Sequence, residues 1–273
     1  MTGVTTTTDI QIKLEDGVSM AASQFGVALS DSASGDQSQG VHLVWAHGWG
    51  QSGAAFYPFA ESLARMWSST AIDFPGFGRS TVPPATWGTE DYADAIAGWL
   101  RTLPPANRIW IGHSFGCRVG MQIAARHPGL LTGMVLIAAA GLKRRRSLWE
   151  TLRFKARVYA FKLAKLFVPE GPRRDALRAR FGSADYKNAG PMRAIFIKTV
   201  SEDLTDVASQ VSCPTLLVFG RNDADTPVEM GERLSRLIPS ARLVVLEGFG
   251  HLDILTRGQH QTANEIRKFV QCL

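Results

Sequence analysis

The chain has 273 residues, is 45% hydrophobic and carries a formal net charge of +6, which suits one α/β domain with an insertion. No apolar run reaches the roughly 20 residues that span a bilayer. Cys117, Cys213 and Cys272 are too few and too widely spaced for a disulfide framework or a zinc knuckle. The start, "MTGVTTTTDI", has no basic n-region and no apolar h-region, so neither a secretory signal nor an oxidising destination is expected. A reduced cytoplasmic setting follows as the expectation. "DIQIKLE" and "SMAASQF" then read as two strands joined at Asp16-Gly17, an antiparallel hairpin. The polar run "SDSASGDQSQG" reads as a loop. "VHLVWA", "STAIDF", "RIWIG" and "GMVLIAA" lack clean alternation, as strands buried on both faces do. Helical patterns lie between them near 54–66, 89–102 and 117–127. "PTLLVFG" and "ARLVVLEG" follow residue 210, with helices near 227–237 and 258–270. The alternation predicts an eight-stranded, mostly parallel sheet.

Residues 142 to 208 contain no strand run and read as a helical lid. The lid divides a core of residues 1–141 from its second part, 209–273. Charge marks the same boundary. Residues 141–200 hold sixteen Lys/Arg and four Asp/Glu, net +12, while the remainder holds fourteen and twenty, net −6.

"IWIGHSFGCRVG", residues 109–120, runs from a buried strand into a helix through a tight turn centred on Ser114. A nucleophile on such a turn needs tiny residues two before and two after it, and Gly112 and Gly116 supply them. The helix that follows points the positive end of its dipole at developing negative charge. One Gly-x-Ser-x-Gly is a weak signal, and its strand-to-helix setting gives it weight. A rival motif precedes it. Gly48, Gly50 and Gly53 match a dinucleotide fingerprint, with Asp73 about 20 residues further on at a strand end. A nicotinamide oxidoreductase is therefore the alternative of another class. It places the fingerprint after a hairpin rather than on a first strand, and it leaves Ser114 unexplained. In an acyl-transfer enzyme the same loop would instead offer the Trp49 N–H, together with the Phe115 N–H, to an oxyanion.

A serine needs a base, and the base needs an acid to fix its tautomer. Of six histidines, His251 in "EGFGHLDI" lies on the loop after the last strand, where the loops above a parallel sheet converge. Asp223, in "VFGRNDADTPVE", is favoured as the acid over Asp225, whose place near Pro227 also suits a helix cap. His113 and the side chains of Trp49 and Phe115 are candidate substrate contacts.

The ordered set HGWG, DFPGFGRS, GHSFG, GRNDADTP and GFGH resembles the α/β-hydrolase superfamily over essentially the whole chain. It is similar to carboxylesterases of the pimeloyl-acyl carrier protein methyl ester esterase type. Its DxPGxGxS stretch, Asp73 to Ser80, is also similar to that of meta-cleavage-product hydrolases, which break carbon–carbon bonds. The resemblance implies an α/β-hydrolase fold, Ser114 as nucleophile, Asp223 as acid, His251 as base, oxyanion donors at Trp49 and Phe115, and a helical lid. It implies no metal or organic cofactor. The expected function is a serine hydrolase acting on a small or medium ester. A carbon–carbon hydrolase with the same triad and a non-catalytic ligand-binding scaffold are the alternatives within the fold.

In the lid, "KRRRSLWETLRFKARVYAFKLAKLFV" places Leu148, Leu152, Tyr159, Leu163 and Phe167 on one helix face. Three readings compete: a solvated helix packed on the core, charge steering of an acidic substrate or carrier protein, and contact with an anionic membrane. Nothing points to nucleic acid. Arg144, Arg145 and Arg146 are candidate contacts for a carboxylate or phosphate.

Overall fold

The computed structural model describes residues 7–14, 17–26, 40–144, 148–168, 171 and 184–273. Asp16, nearly all of the polar run 30–40, Arg145 and Arg146 lie outside the described residues.

Eight strands form one sheet: β1 Thr8–Lys13, β2 Ser19–Phe25, β3 Val41–Ala46, β4 Ser68–Ile72, β5 Asn107–His113, β6 Gly133–Ile137, β7 Thr215–Gly220 and β8 Ala241–Leu246. Their order is β1-β2-β4-β3-β5-β6-β7-β8. β1 pairs with β2, and β2 with β4, antiparallel; every other neighbour is parallel. The central strands read as continuous apolar runs because both faces are covered. β6 and β7 are buried along their whole lengths, whereas the edge strands β1 and β8 are largely half-exposed or exposed.

Helices α1 (Tyr57–Leu63) and α9 (Gln259–Gln271) pack one face through Phe59, Leu63, Ile266 and Val270. Helices α2 (Thr89–Thr102), α3 (Phe115–Arg126) and α8 (Val228–Leu237) pack the other through Ile96, Leu100, Val119, Ile123 and Leu234. The expected helix at 54–66 divides into a 3₁₀ turn, Gly53–Phe56, and α1. Pro58 has no N–H to donate and fits only the first helical turn, so α1 starts there.

Between β6 and β7 the described elements are all helical: α4 Leu148–Phe167, α5 Ala184–Asn188, α6 Arg193–Ser201 and α7 Thr205–Ser209, with a 3₁₀ turn at Gly190–Met192. The insertion leaves and returns at one point, where the Leu204 N–H donates to the Gly141 carbonyl at 2.9 Å. It rests on the core through a polar seam. Glu202 accepts from the N–H and Oγ1 of Thr89 at 3.1 and 2.6 Å, and Lys198 pairs with Glu90 at 3.0 Å. One expectation is corrected here. The apolar face of α4 was expected to allow packing on the core, but Leu152, Tyr159, Leu163 and Phe167 are exposed. The half-buried residues of the helix include Phe161 and Ala164, on a different side. Among the described residues, no helix is long and apolar enough to cross a membrane.

His42 in β3 is a satisfied core histidine. Its Nδ1 lies 2.9 Å from Ser68 Oγ and its Nε2 3.1 Å from Thr70 Oγ1. Burial first, and the Arg108 charge second, push its pKa from 6.5 down to about 4. The unfolded chain therefore binds a proton that the native chain refuses in this window. The stability is present above about pH 6.5 and is lost as pH falls toward 4. His42→Gln is expected to flatten the pH dependence of the unfolding free energy by up to ~1.4 kcal/mol per pH unit in that window. Urea unfolding at pH 5 and pH 7 measures it; an unchanged slope would show that His42 is not a source of acid sensitivity.

Candidate active site

The strand order reverses between the parallel neighbours β3 and β5. β3 leads to β4 on one side of that point, and β5 leads to β6 on the other. The crevice at the carboxyl ends of these two strands is where open parallel sheets bind ligands. Ser114 sits there, between β5 and α3, at φ 49° and ψ −100°. A non-glycine residue held at positive φ stores strain of order 1–3 kcal/mol. The close crossing of strand and helix is what imposes it. A Cβ on Gly112 would lie 2.6 Å from the Gly116 backbone, and one on Gly116 would overlap the Ala46 carbonyl. Trp110 Nε1 locks the corner by donating to the Gly116 carbonyl at 2.9 Å.

Two backbone N–H groups lie beside this corner, that of Phe115 next in sequence to Ser114 and that of Trp49 on the loop that lines the same cavity. Phe115 opens α3, where a helix has no internal acceptor for its first N–H groups. Among the described residues neither the Phe115 N–H nor the Trp49 N–H has a protein acceptor. The Trp49 loop is held from both sides. His47 Nδ1 donates to the Gly48 carbonyl at 2.7 Å, and its Nε2 accepts from the Phe74 N–H at 2.9 Å. That pairing fixes the neutral tautomer, and burial keeps it neutral by lowering the pKa to about 4. Gln51 Oε1 accepts from the Gly48 N–H at 2.9 Å and faces His113 Nδ1 at 3.1 Å. His47 and Gln51 were not assigned these roles from the sequence, because both act through backbone groups of the loop.

Asp223 and His251 meet, from loops 28 residues apart in sequence. His251 Nδ1 donates to Asp223 Oδ2 at 2.8 Å, which leaves Nε2 as the basic nitrogen. Asp223 is buried and accepts three further bonds: from the Asp225 N–H, the Thr226 N–H and Thr226 Oγ1, at 2.8, 2.8 and 2.7 Å. Burial pushes its pKa up, but the His251 and Thr226 hydrogen bonds outweigh it and hold the carboxyl below the usual range. Asp225, the alternative acid, makes no hydrogen bond to His251. Thr226 was not foreseen; a threonine three residues after an aspartate resembles any turn.

Ser114 and His251 line the same cavity, of about 630 Å³, although no hydrogen bond joins Ser114 Oγ to the imidazole. Resting enzymes commonly hold such pairs apart until substrate arrives. His113 ties the two loops together by donating from Nε2 to the His251 carbonyl at 3.1 Å. Its pKa falls to about 3, chiefly by burial and then by the nearby His251, so it stays neutral.

Trp49 and Phe77 form an aromatic wall of the cavity, with ring centroids 4.8 Å apart, and Phe196 of α6 closes on Trp49 at 5.1 Å. Two expected contacts are corrected. The Phe115 ring is buried beneath this wall, between Trp49, Phe74 and Tyr92, and does not line the cavity. Arg144 is exposed and donates to the Ala224 carbonyl at 3.1 Å rather than lining the cavity. The insertion between β6 and β7 instead contributes Asp185, Asn188, Ala189 and Met192, which no periodic signal marks.

The dinucleotide reading fails at Asp73. That carboxylate is buried at 2% exposure and accepts from the Gly53 N–H at 2.7 Å and from Arg79 N–H and Nε at 3.0 and 3.1 Å, so it is turned into the protein and away from any ribose. Gly53 is needed for packing, since its Cβ would lie 3.0 Å from the Ile72 carbonyl. For a metal, Asp223, Asp225 and His251 bring one ligand atom each within 4.8 Å of one another. Four hydrogen bonds already occupy the Asp223 oxygens, so that group is a poor ligand set.

A strained serine at a strand-to-helix corner, beneath an aspartate–histidine pair on an eight-stranded sheet, defines a class. The sequence profile of the family described as alpha/beta hydrolase fold matches residues 41–258, and the chain belongs to that family. It is an enzyme of the hydrolase class, with esterase and hydrolase relatives. It is 28% identical over 81% of its length to a pimeloyl-[acyl-carrier protein] methyl ester esterase of Chromobacterium violaceum, covering 91% of that protein. It is 28% identical over 79% of its length to a 2-(acetamidomethylene)succinate hydrolase of Mesorhizobium japonicum, covering 83% of it. Among solved structures, an enol-lactonase of Burkholderia xenovorans superposes with TM-score 0.70 at 20% identity, covering 96% of this chain and 100% of that one. That last likeness is one of fold alone.

Proposed function

We propose that the chain is a serine esterase that transfers an acyl group to water, with residues 142–208 as the lid over its cavity. The Asp223–His251 hydrogen bond, facing the cavity that Ser114 lines, carries this reading. Ser114 Oγ attacks the ester carbonyl while His251 Nε2 takes its proton. Asp223 stabilises the imidazolium, and its depressed pKa keeps it ionised for that task. The Trp49 and Phe115 N–H groups receive the oxyanion, and the unpaired state of both donors supports this use. His251 returns the proton to the leaving alcohol, then activates the water that clears the acyl-enzyme.

The cavity favours an uncharged ester. Its lining includes Asp185 and Asp225 and, among the described residues, no Lys or Arg. Arg144, expected to hold an anionic substrate, does not line the cavity; Arg145 and Arg146 lie outside the described residues. A pimeloyl methyl ester on a carrier protein, the substrate named for several relatives, is neutral at both ends of its acyl chain and is compatible with such a lining.

The test is a panel of p-nitrophenyl esters of increasing length, with neutral methyl esters set against dicarboxylate monomethyl esters, and a vinylogous diketone. With the leaving group held constant, neutral methyl esters are expected to have a kcat/KM at least about tenfold above dicarboxylate monomethyl esters of equal length, equivalent to ~1.4 kcal/mol of carboxylate repulsion. Faster turnover of the anionic set would refute the neutral-substrate assignment. Cleavage of the diketone alone would convert the enzyme to a carbon–carbon hydrolase.

A further inference from the structure

Helix α4 turns an apolar face to solvent. Trp149 is 73% exposed, Leu152 58%, Tyr159 69%, Leu163 59% and Phe167 79%. These are five of the eleven large hydrophobic side chains that the described part of the protein leaves exposed, so the exposure is concentrated on one element. At 100° per residue the five fall within an arc of about 80°, and the exposed Ala156 and Ala160 widen it to about 100°. A stripe of that width ordinarily faces a core. Here it runs the length of a 20-residue helix, about 30 Å.

Charge decides what covers it. The helix carries Arg153, Lys155, Arg157, Lys162 and Lys165 against one acid, Glu150. Lys143 and Arg144, immediately before it, are exposed as well. A second copy of this chain would set one +4 helix against another, an arrangement that like charges oppose. An anionic bilayer complements both properties at once. Its headgroups take the Lys and Arg, and its acyl boundary takes the aromatic and aliphatic stripe. Trp149, Tyr159 and Phe167 are spaced along the helix, and Trp and Tyr favour the depth where apolar chains meet water.

We propose that α4 is an interfacial helix that docks the protein on an anionic membrane surface. The helix lies in the plane of the interface and does not cross it. The described residues that precede it are held by the core: the Lys143 carbonyl accepts from Arg233 of α8 at 2.9 Å, and Arg144 donates to the Ala224 carbonyl at 3.1 Å.

The experiment is co-sedimentation of the full chain with vesicles of phosphatidylcholine alone and with about 30% phosphatidylglycerol added, at low salt and at about 0.5 M NaCl. Binding to the phosphatidylglycerol vesicles is expected to exceed that to phosphatidylcholine at least tenfold, and to fall with salt. A Leu152→Ser, Leu163→Ser, Phe167→Ser variant is expected to lose at least tenfold in binding. A separate Arg153→Glu, Lys155→Glu variant is expected to lose the preference for anionic lipid. Turnover of a water-soluble p-nitrophenyl ester and far-UV circular dichroism verify that both variants are folded. Absence of binding to either vesicle overturns the proposal, as does equal binding to both or undiminished binding by the serine variant. If the wild type instead ignores vesicles but dimerises, or binds an acidic carrier protein, through this face, the face is a protein interface and the membrane assignment is lost.

Discussion

Replacing Ser114 with alanine is expected to cut ester hydrolysis by about 10⁴-fold or more. It should also abolish labelling by a fluorophosphonate while leaving the melting temperature unchanged. The structure explains the separation of the two effects. Among the described residues Ser114 Oγ has no hydrogen-bond partner, so its removal leaves none of them unsatisfied. Backbone strain sharpens the test. Because residue 114 is held at φ 49°, Ser114→Gly is expected to raise stability by about 1 kcal/mol while being equally inactive. Calorimetry on the two variants, beside a hydrolysis assay, reads both quantities. Turnover surviving in the alanine variant would remove the nucleophile, and with it the scheme of acyl transfer.

Gly116→Ala is expected to damage the fold itself. The added Cβ meets the Ala46 carbonyl, a backbone atom of the central strand β3 that cannot rotate away. Relief requires α3 to move off the sheet, which breaks the Gly116 N–H bond to the His47 carbonyl at 3.1 Å and the Trp110 bond to the Gly116 carbonyl. Overpacking and broken buried hydrogen bonds together place the expected loss above about 4 kcal/mol. Such a variant should express poorly or unfold tens of degrees below the parent. A folded variant with near-native melting would show that α3 can shift at this corner at little cost.

The architecture was legible wherever burial left a direct mark on composition. Strands covered on both faces show as the apolar runs of β3, β5, β6 and β7, and the Gly112–Ser114–Gly116 spacing records a steric need that few other arrangements share. The order serine, acid, histidine carried over to geometry for Asp223 and His251, which now share a 2.8 Å bond. The preference for Asp223 over Asp225 was a choice between neighbours in one loop, and it turned on which carboxylate the Thr226 turn directs inward.

What stayed hidden depends on long-range packing. Thr89 and Glu202 are 113 residues apart, and nothing local announces their bond. Asp185, Asn188 and Met192 line the cavity from the insertion between β6 and β7, far in sequence from Ser114. The amphipathic pattern of α4 was visible, yet a pattern states only that a helix has two sides. Which side meets protein is settled by tertiary contacts. The ring of Phe115 was misplaced for a related reason, since adjacency to Ser114 fixes where a backbone N–H points but not the side chain.

The meeting of Gly141 and Leu204 bears on how the insertion can vary in length. Both ends of the insertion meet at one short hydrogen bond beside β6, so a change of length between them re-threads no strand of the sheet. Such a change must still respect the seam that Glu202 and Lys198 make with α2 and the Phe196 contact with Trp49.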